Sequence, residues 1–478
     1  MTFRVLFMLF FILSFVYADE KEVDKKTSIE YNLVRCLLTA LENNPVCKKM
    51  SIDKKIAAIE LKASASSFEW ILSGTTSYND SNDVSSQTVG ITKSFLTGTS
   101  VGVSTSISDR SGALLDKSSS FSFNLTQELL AGATIKENDL PIFRSRIRHD
   151  QSANKLEDQI RSTLFRVSSN YFQYIKNEET VIINLNALKQ SKKFLETVQE
   201  LKKAGKGTNL DIATAEVQVA SREEALLRSQ TNILNALDLL KSSMGIDMVE
   251  NITIFKDISL EVILPPLDFE KAYSHALNNR SDMMNSKLNL ELQNQEVSVK
   301  NSSKKPNLKF LYGLSFSEAE DNFNGVYHYS DSPEHSLSLQ FSMPLLRKKK
   351  IADYLTAKLS SEKFEIELWV LSQDIKLDIK RIIREIEAGI KTIAVQNQRM
   401  KTEEIRVQSF ETRFENGLID SLEVTRAYDD LDKARIDLIN SKLNLKILVA
   451  EYHVAIGSQP TIVIENEKIL MEKQTEKK

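Results

Sequence analysis

Along the stretch HSLSLQFSMPLL, residues 335–346, apolar and polar side chains alternate. His335, Leu337, Leu339, Phe341 and Met343 fall on one side, and Ser336, Ser338, Gln340 and Ser342 on the other. A period of two belongs to a β-strand with one apolar and one wetted face. The same alternation runs through Leu308, Phe310, Tyr312, Leu314 and Phe316. In the first half of the chain it recurs four times. Phe68, Trp70, Leu72 and Tyr78 share a face with Gly74 and Thr76; Val89, Ile91 and Phe95 share one with Lys93; Val101, Val103 and Ile107 form a third set, and Phe121, Phe123 and Leu125 a fourth. The opposite faces carry mainly serine, threonine and glycine. Six strands are expected, in two groups over about 68–127 and about 307–343. Each group has an even count, which returns the chain to the side it left.

Elsewhere the period changes. Leu431, Leu438, Leu445 and Tyr452 fall seven apart, with Ala434, Leu448 and Ala455 between them, and Leu226, Ile233, Leu237 and Leu240 make a similar stripe. Such spacing belongs to helices packed as coiled coils. No proline lies between Pro141 and Pro265 or between Pro344 and Pro460, and an internal proline would break a long helix. The roughly 55 residues from Ile147 to a turn at Gly205 would reach about 80 Å as one helix.

The chain also repeats itself. LTALENNP (38–45) resembles SHALNNRSD (274–282), and each precedes a helical stretch and then strands. Gly205 and Gly417 are 212 residues apart, as are Gly245 and Gly457, Leu210-Asp211-Ile212 and Leu422-Glu423-Val424, and Ala215 and Ala427. Several coincidences at one offset imply duplication. The expected organisation is a first repeat over 19–262 with a helical hairpin turning near 205, and a second over 263–459 turning near 417. A charged, disordered tail is expected at 460–478.

Composition narrows the class. Across 478 residues the net charge is −3, which leaves no nucleic-acid footprint. Arg4, the apolar run VLFMLFFILSFVYA and small Ala18 describe a secretory signal peptide over 1–18. No later apolar run approaches the ~20 residues of a membrane helix. Exported strands with one apolar and one hydroxyl-rich face, with aromatics toward their ends, fit a transmembrane barrel. A soluble sandwich shows the same alternation packed sheet on sheet, but it leaves the signal peptide and the wet faces unexplained. Six strands do not close a barrel from one chain, so several copies would share it. Cys36 and Cys47 bracket the turn at Asn43-Asn44-Pro45; a disulfide and two buried thiols are both compatible with that spacing. No phosphate loop, dinucleotide fingerprint, zinc spacing or nucleophile elbow is present, so the chain does not read as an enzyme, and no cofactor or metal is expected. His328, Asp331, Glu334 and His335 fall in an acidic, turn-rich stretch that reads as a solvated loop.

The paired corners, LTQELLAG (125–132), QFSMPLL (340–346), KAGKGTNLDIATAE (203–216) and FENGLIDSLEVTRA (414–427) together resemble the TolC family of outer-membrane efflux proteins. That resemblance implies an α+β membrane protein. Three copies would form a twelve-stranded outer-membrane barrel continuous with a periplasmic α-helical coiled-coil tunnel. It implies a passive exit channel of a tripartite efflux pump or type I secretion system, served by an inner-membrane transporter. A periplasmic adaptor, or membrane fusion protein, would dock at the hairpin tips Gly205, Gly417 and Leu418 and open them. Asp211 and Glu423 match family positions for gate or selectivity acids, which threefold symmetry would turn into rings; each also reads as a helix-start carboxylate. The sequence departs from the family at Arg426, where a second acid is usual and which would pair with Glu423, and at Lys206, Phe414 and Ile419. Two strands around Gly98 exceed the family's minimum. RKKK (347–350) reads as a solvated rim. The rival reading is a soluble periplasmic coiled-coil scaffold or adaptor.

Overall fold

The structure, a computed structural model, describes residues 29–80, 83–110, 117–256, 262–320 and 332–458. The expected signal peptide and tail, with His328 and Asp331, lie outside them. In chain order the elements are β1 (Ile29–Tyr31), α1 (Leu33–Asn43), α2 (Pro45–Ala65), β2 (Ile71–Asn79), β3 (Val84–Ser94), β4 (Thr99–Arg110), β5 (Lys117–Glu128), α3 (Ile135–Asn138), α4 (Leu140–Lys203) and α5 (Asn209–Met244). There follow β6 (Ile252–Ile254), α6 (Phe269–Asn279), α7 (Ser281–Ser302), β7 (Asn307–Glu320), β8 (Glu334–Ser342), α8 (Lys348–Glu415) and α9 (Ser421–Ala455). Helices α4 and α8 hold 64 and 68 residues, as the proline-free stretches require. Pro141 sits in the first turn of α4, where its missing N–H costs nothing. The chain divides into two compact units, one of residues up to 44, 166–262 and 396–443, the other of 45–165, 263–395 and 444 onward.

The second unit carries a six-stranded sheet of order β2-β3-β4-β5-β7-β8, antiparallel throughout. The sheet is open, with β2 and β8 at its edges. All six alternating stretches are strands in it, the two around Gly98 included. Phe68, expected at the head of the first strand, instead lies in a 3₁₀ turn, Ser66–Phe68. In the helices of the same unit, Ile375, Ile379, Ile382 and Ile386 of α8 and Leu445 and Tyr452 of α9 are buried.

The first unit is helical, with one addition that no periodicity announced: β1 and β6 pair in parallel over three residues. Its stripe residues Leu431, Ala434 and Leu438 are buried, as is Leu240 of α5.

The two helical corners are built alike, each inside its own unit. At the first, Gly245 adopts φ 75°, and a Cβ there would lie 2.7 Å from the Asn43 carbonyl oxygen; Asn44 Nδ2 donates to the Ser243 carbonyl at 2.8 Å. At the second, Gly457 adopts φ 77° and a Cβ would lie 2.7 Å from the Asn279 carbonyl carbon; Arg280 Nη1 donates to the Ala455 carbonyl at 3.3 Å. Only glycine combines that dihedral with that approach.

Candidate functional site

The sheet has two faces of opposite chemistry that cross all six strands at mid-sheet, the apolar one turning polar four rows higher at Thr76, Gln87, Ser119 and Glu318. One row reads Leu72, Ile91, Val103, Phe123, Leu314, His335; the next reads Ser73, Gly90, Ser104, Ser122, Ser315, Glu334. On the apolar face Phe121 and Phe316 lie 6.3 Å apart across the β5–β7 joint. Leu72, Leu337, Leu339 and Phe341 stay 60–72% exposed, an area too large to leave in water without a partner or lipid. At the strand ends nearer the helices, Lys93 Nζ lies 5.3 Å from the rings of both Trp70 and Phe95. A cation among aromatics at the edge of an apolar band is the arrangement of a membrane interface.

The other face is a lattice of hydroxyls. Hydrogen bonds join Ser104 to Ser122 at 2.8 Å, and Ser106 to Ser120, Ser108 to Ser118 and Ser77 to Ser86 at 2.7 Å. Lys309 and Glu128 pair at 2.6 Å on the same face. Such a surface can line water and carries little charge across its middle.

In the helical unit the functional candidates sit at two turns. Gly205 and Gly417 adopt φ 79° and 70°, and no atom lies within 4 Å of where their Cβ would be. Each closes its helix in the same way: Lys206 N–H donates to the Leu201 carbonyl, and Leu418 N–H to that of Arg413, both at 2.9 Å. Leu210 and Leu418 are 74% and 68% exposed, so both turns present bare leucine. The two acids are used differently. Asp211 Oδ2 accepts from Thr208 N–H at 2.9 Å while Thr208 Oγ1 accepts from Asp211 N–H at 3.2 Å, a reciprocal capping box. Asp211 Oδ1 also accepts from Ser421 Oγ at 2.7 Å. Partial burial works against its charge, but the hydrogen bonds from Thr208 and Ser421 outweigh it and hold the carboxyl below its usual range. Helix α9 has its own cap, Asp420 Oδ1, which accepts from Glu423 N–H at 3.0 Å. The Glu423 and Arg426 side chains are exposed. The pair expected between them does not form, and each points to solvent.

Residues 97–246 and 272–458 match the model of a family described as outer membrane efflux protein. The chain belongs to that family. Its fold is also that of solved outer-membrane channels. OprN superposes with TM-score 0.70 at 13% identity, covering 90% of both chains. VceC of Vibrio cholerae gives 0.68 at 14%, covering 89% of this chain and 96% of its own. CmeC of Campylobacter jejuni gives 0.67 at 16%, covering 96% and 93%. No curated protein matches the sequence. Family membership places this efflux protein in the outer membrane as a channel. Among its described residues no helix is long and apolar enough to cross a membrane, and the sheet is the element with a lipid-compatible face.

Sequence reasoning missed the polar network behind the turns of the efflux protein. Arg222 Nη2 of α5 reaches Asp429 Oδ1 at 2.7 Å and Asp432 Oδ2 at 2.9 Å on α9, and Gln218 Nε2 donates to Asp429 at 2.7 Å. Burial raises the Asp432 pKa although Arg222 and Arg435 pull it down. The signal was YDDLDK, in which Asp429 and Asp432 share one helix face; its partner lay some 200 residues away. Next to the network, Phe194, Phe414 and Tyr428 pack with ring centroids 5.2 and 5.7 Å apart. Tyr428 OH donates to Glu411 at 2.5 Å. Phe414, which lacks the hydroxyl expected of the family, thus fills the core.

No disulfide joins Cys36 and Cys47; both are unbridged thiols and buried. Burial pushes the Cys36 thiol up to about 12, which removes the thiolate that oxidation needs. The Cys47 thiol donates to Thr163 Oγ1 at 3.4 Å. Each thiol is committed to its own packing. Among the described residues no group of three or more His, Cys, Asp or Glu side chains is placed to hold a metal.

Proposed function

We propose that three copies of this chain close their sheets into one aqueous barrel across the outer membrane. The helical hairpins then form a periplasmic tunnel, so that the assembly is a passive exit channel. The observation that carries this is the continuous pair of faces, hydroxyl on one side and apolar on the other, over a sheet with two open edges. Exposed Val217, Leu227 and Leu234 on α5, and Ile366, Trp369 and Leu377 on α8, support packing against further copies. The equal offsets in the sequence and the matching corners at Gly245 and Gly457 support an internal duplication. A periplasmic adaptor docks at the turns bearing Gly205, Gly417 and Leu418, and an inner-membrane transporter supplies the driving energy for efflux or type I secretion. At the turns Glu423, unpaired and exposed, forms a threefold ring that favours cations, with Arg426 one turn behind it tempering that preference. Asp211 holds the turn together.

Extraction tests this against the scaffold reading. The channel is released from cell envelopes only by detergent and migrates as a trimer, whereas recovery with the soluble periplasmic fraction contradicts it.

A further inference from the structure

Building on the channel reading, we propose that β2 and β3 belong to the membrane wall, so that three copies close an eighteen-stranded barrel in which β8 of one copy pairs with β2 of the next. Four observations carry this. First, at the level of Leu72 both faces continue from β4 onto β3 and β2: Val103 leads to Ile91 and Leu72, and Ser104 to Gly90 and Ser73, while four rows higher the apolar face gives way to Gln87 and Thr76. A hairpin folded outside the wall would bury its hydroxyls in lipid.

Second, the base of this hairpin is fastened. Glu128 N–H donates to the Gly98 carbonyl at 3.0 Å. Gln127 Nε2 donates to the Thr97 carbonyl at 3.0 Å, and Asn138 Nδ2 to those of Leu96 and Gly132 at 3.0 and 2.8 Å. Gly98, at φ 73°, sits so close to the Gly132 carbonyl that a side chain would not fit. Third, an edge strand in hydrocarbon leaves a row of N–H and C=O groups unpaired, at several kcal/mol each, roughly. β2 and β8 are such edges and run in opposite directions, as an antiparallel joint needs.

Fourth, the edges are staggered to fit. Counted from the row of Leu72 and His335, β2 extends from one row below to seven above, and β8 from seven below to one above. A displacement of six rows brings all nine residues of each strand into register, Ile71 opposite Ser342 through Asn79 opposite Glu334. Six is even, so the faces match: Leu72 meets Phe341 and Gly74 meets Leu339, while Ser73 meets Gln340 and Thr75 meets Ser338. Six rows per copy give a shear of about 18 and a tilt of about 35°, at the lower end of the range for closed barrels. The lumen is about half again as wide as that of a twelve-stranded barrel, because diameter grows roughly in proportion to strand number.

The test is disulfide trapping in the full-length chain, whose native thiols are buried. Thr75→Cys with Ser338→Cys gives covalent trimers under mild oxidation. Neither second pair, Ser338→Cys with Ser104→Cys or with Ser106→Cys, the neighbours at a displacement of four or six rows in a wall lacking β2 and β3, does so. Cross-linking by either second pair, or by none of the three in detergent-extracted trimers, overturns the proposal. Electron cryo-microscopy of the unmodified trimer is independent of the variants: eighteen strands support the closure and twelve overturn it. A twelve-stranded trimer would leave the channel reading standing, whereas a soluble protein would remove both.

Discussion

The turn at Gly205 and the turn at Gly417 have the same backbone, yet the acids that follow them have opposite fates. Asp211 and Glu423 each stand six residues after the glycine and three after the cap. At the first turn the cap is Thr208, whose hydroxyl donates to the Asp211 carboxylate as well as accepting from its N–H, so the acid is drawn onto the backbone. At the second turn the cap is Asp420, which cannot donate when ionised and repels a second carboxylate. Glu423 is left in solvent. One residue three positions earlier decides whether an acid is a strut or a free charge.

The comparison breaks most heavily at Asp211. Asp211→Ala removes the reciprocal cap and the acceptor for Ser421, and is expected to cost about 1–2 kcal/mol, read as a lowered unfolding midpoint in detergent; a midpoint equal to wild type would mean that the box contributes nothing. A smaller effect sharpens it. Asp420→Thr creates the sequence TSLE, a capping box that draws Glu423 onto the backbone. Stability then changes by less than about 0.5 kcal/mol, and the channel loses cation preference although Glu423 is still present. Undiminished preference would show that the cap does not control the acid.

The sheet was legible because a wall between lipid and water imposes strict alternation, and Phe121 through Leu125 or Leu337 through Phe341 display it without help from other residues. The long helices were legible from absent prolines, and the turns from glycines at one repeated offset. Pairings across the chain were not. That β5 joins β7, bringing the strands around Gly98 into one sheet with β8, depends on residues nearly two hundred apart. Arg222 and Asp432 are separated as widely, and neither announces the other. β1 and β6 pair over three residues, too few for a period. At the turns the sequence displayed two equivalent acids, and only the hydrogen bonds of Thr208 and Asp420 distinguished them.

The most direct measurement is the conductance and reversal potential of the detergent-purified trimer in a planar bilayer under a salt gradient, for wild type and Glu423→Ala. The account predicts small, long-lived, cation-selective openings whose selectivity falls in the variant. Openings with unaltered selectivity would move the constriction away from Glu423, and the absence of any channel from folded, trimeric protein would contradict the account as a whole.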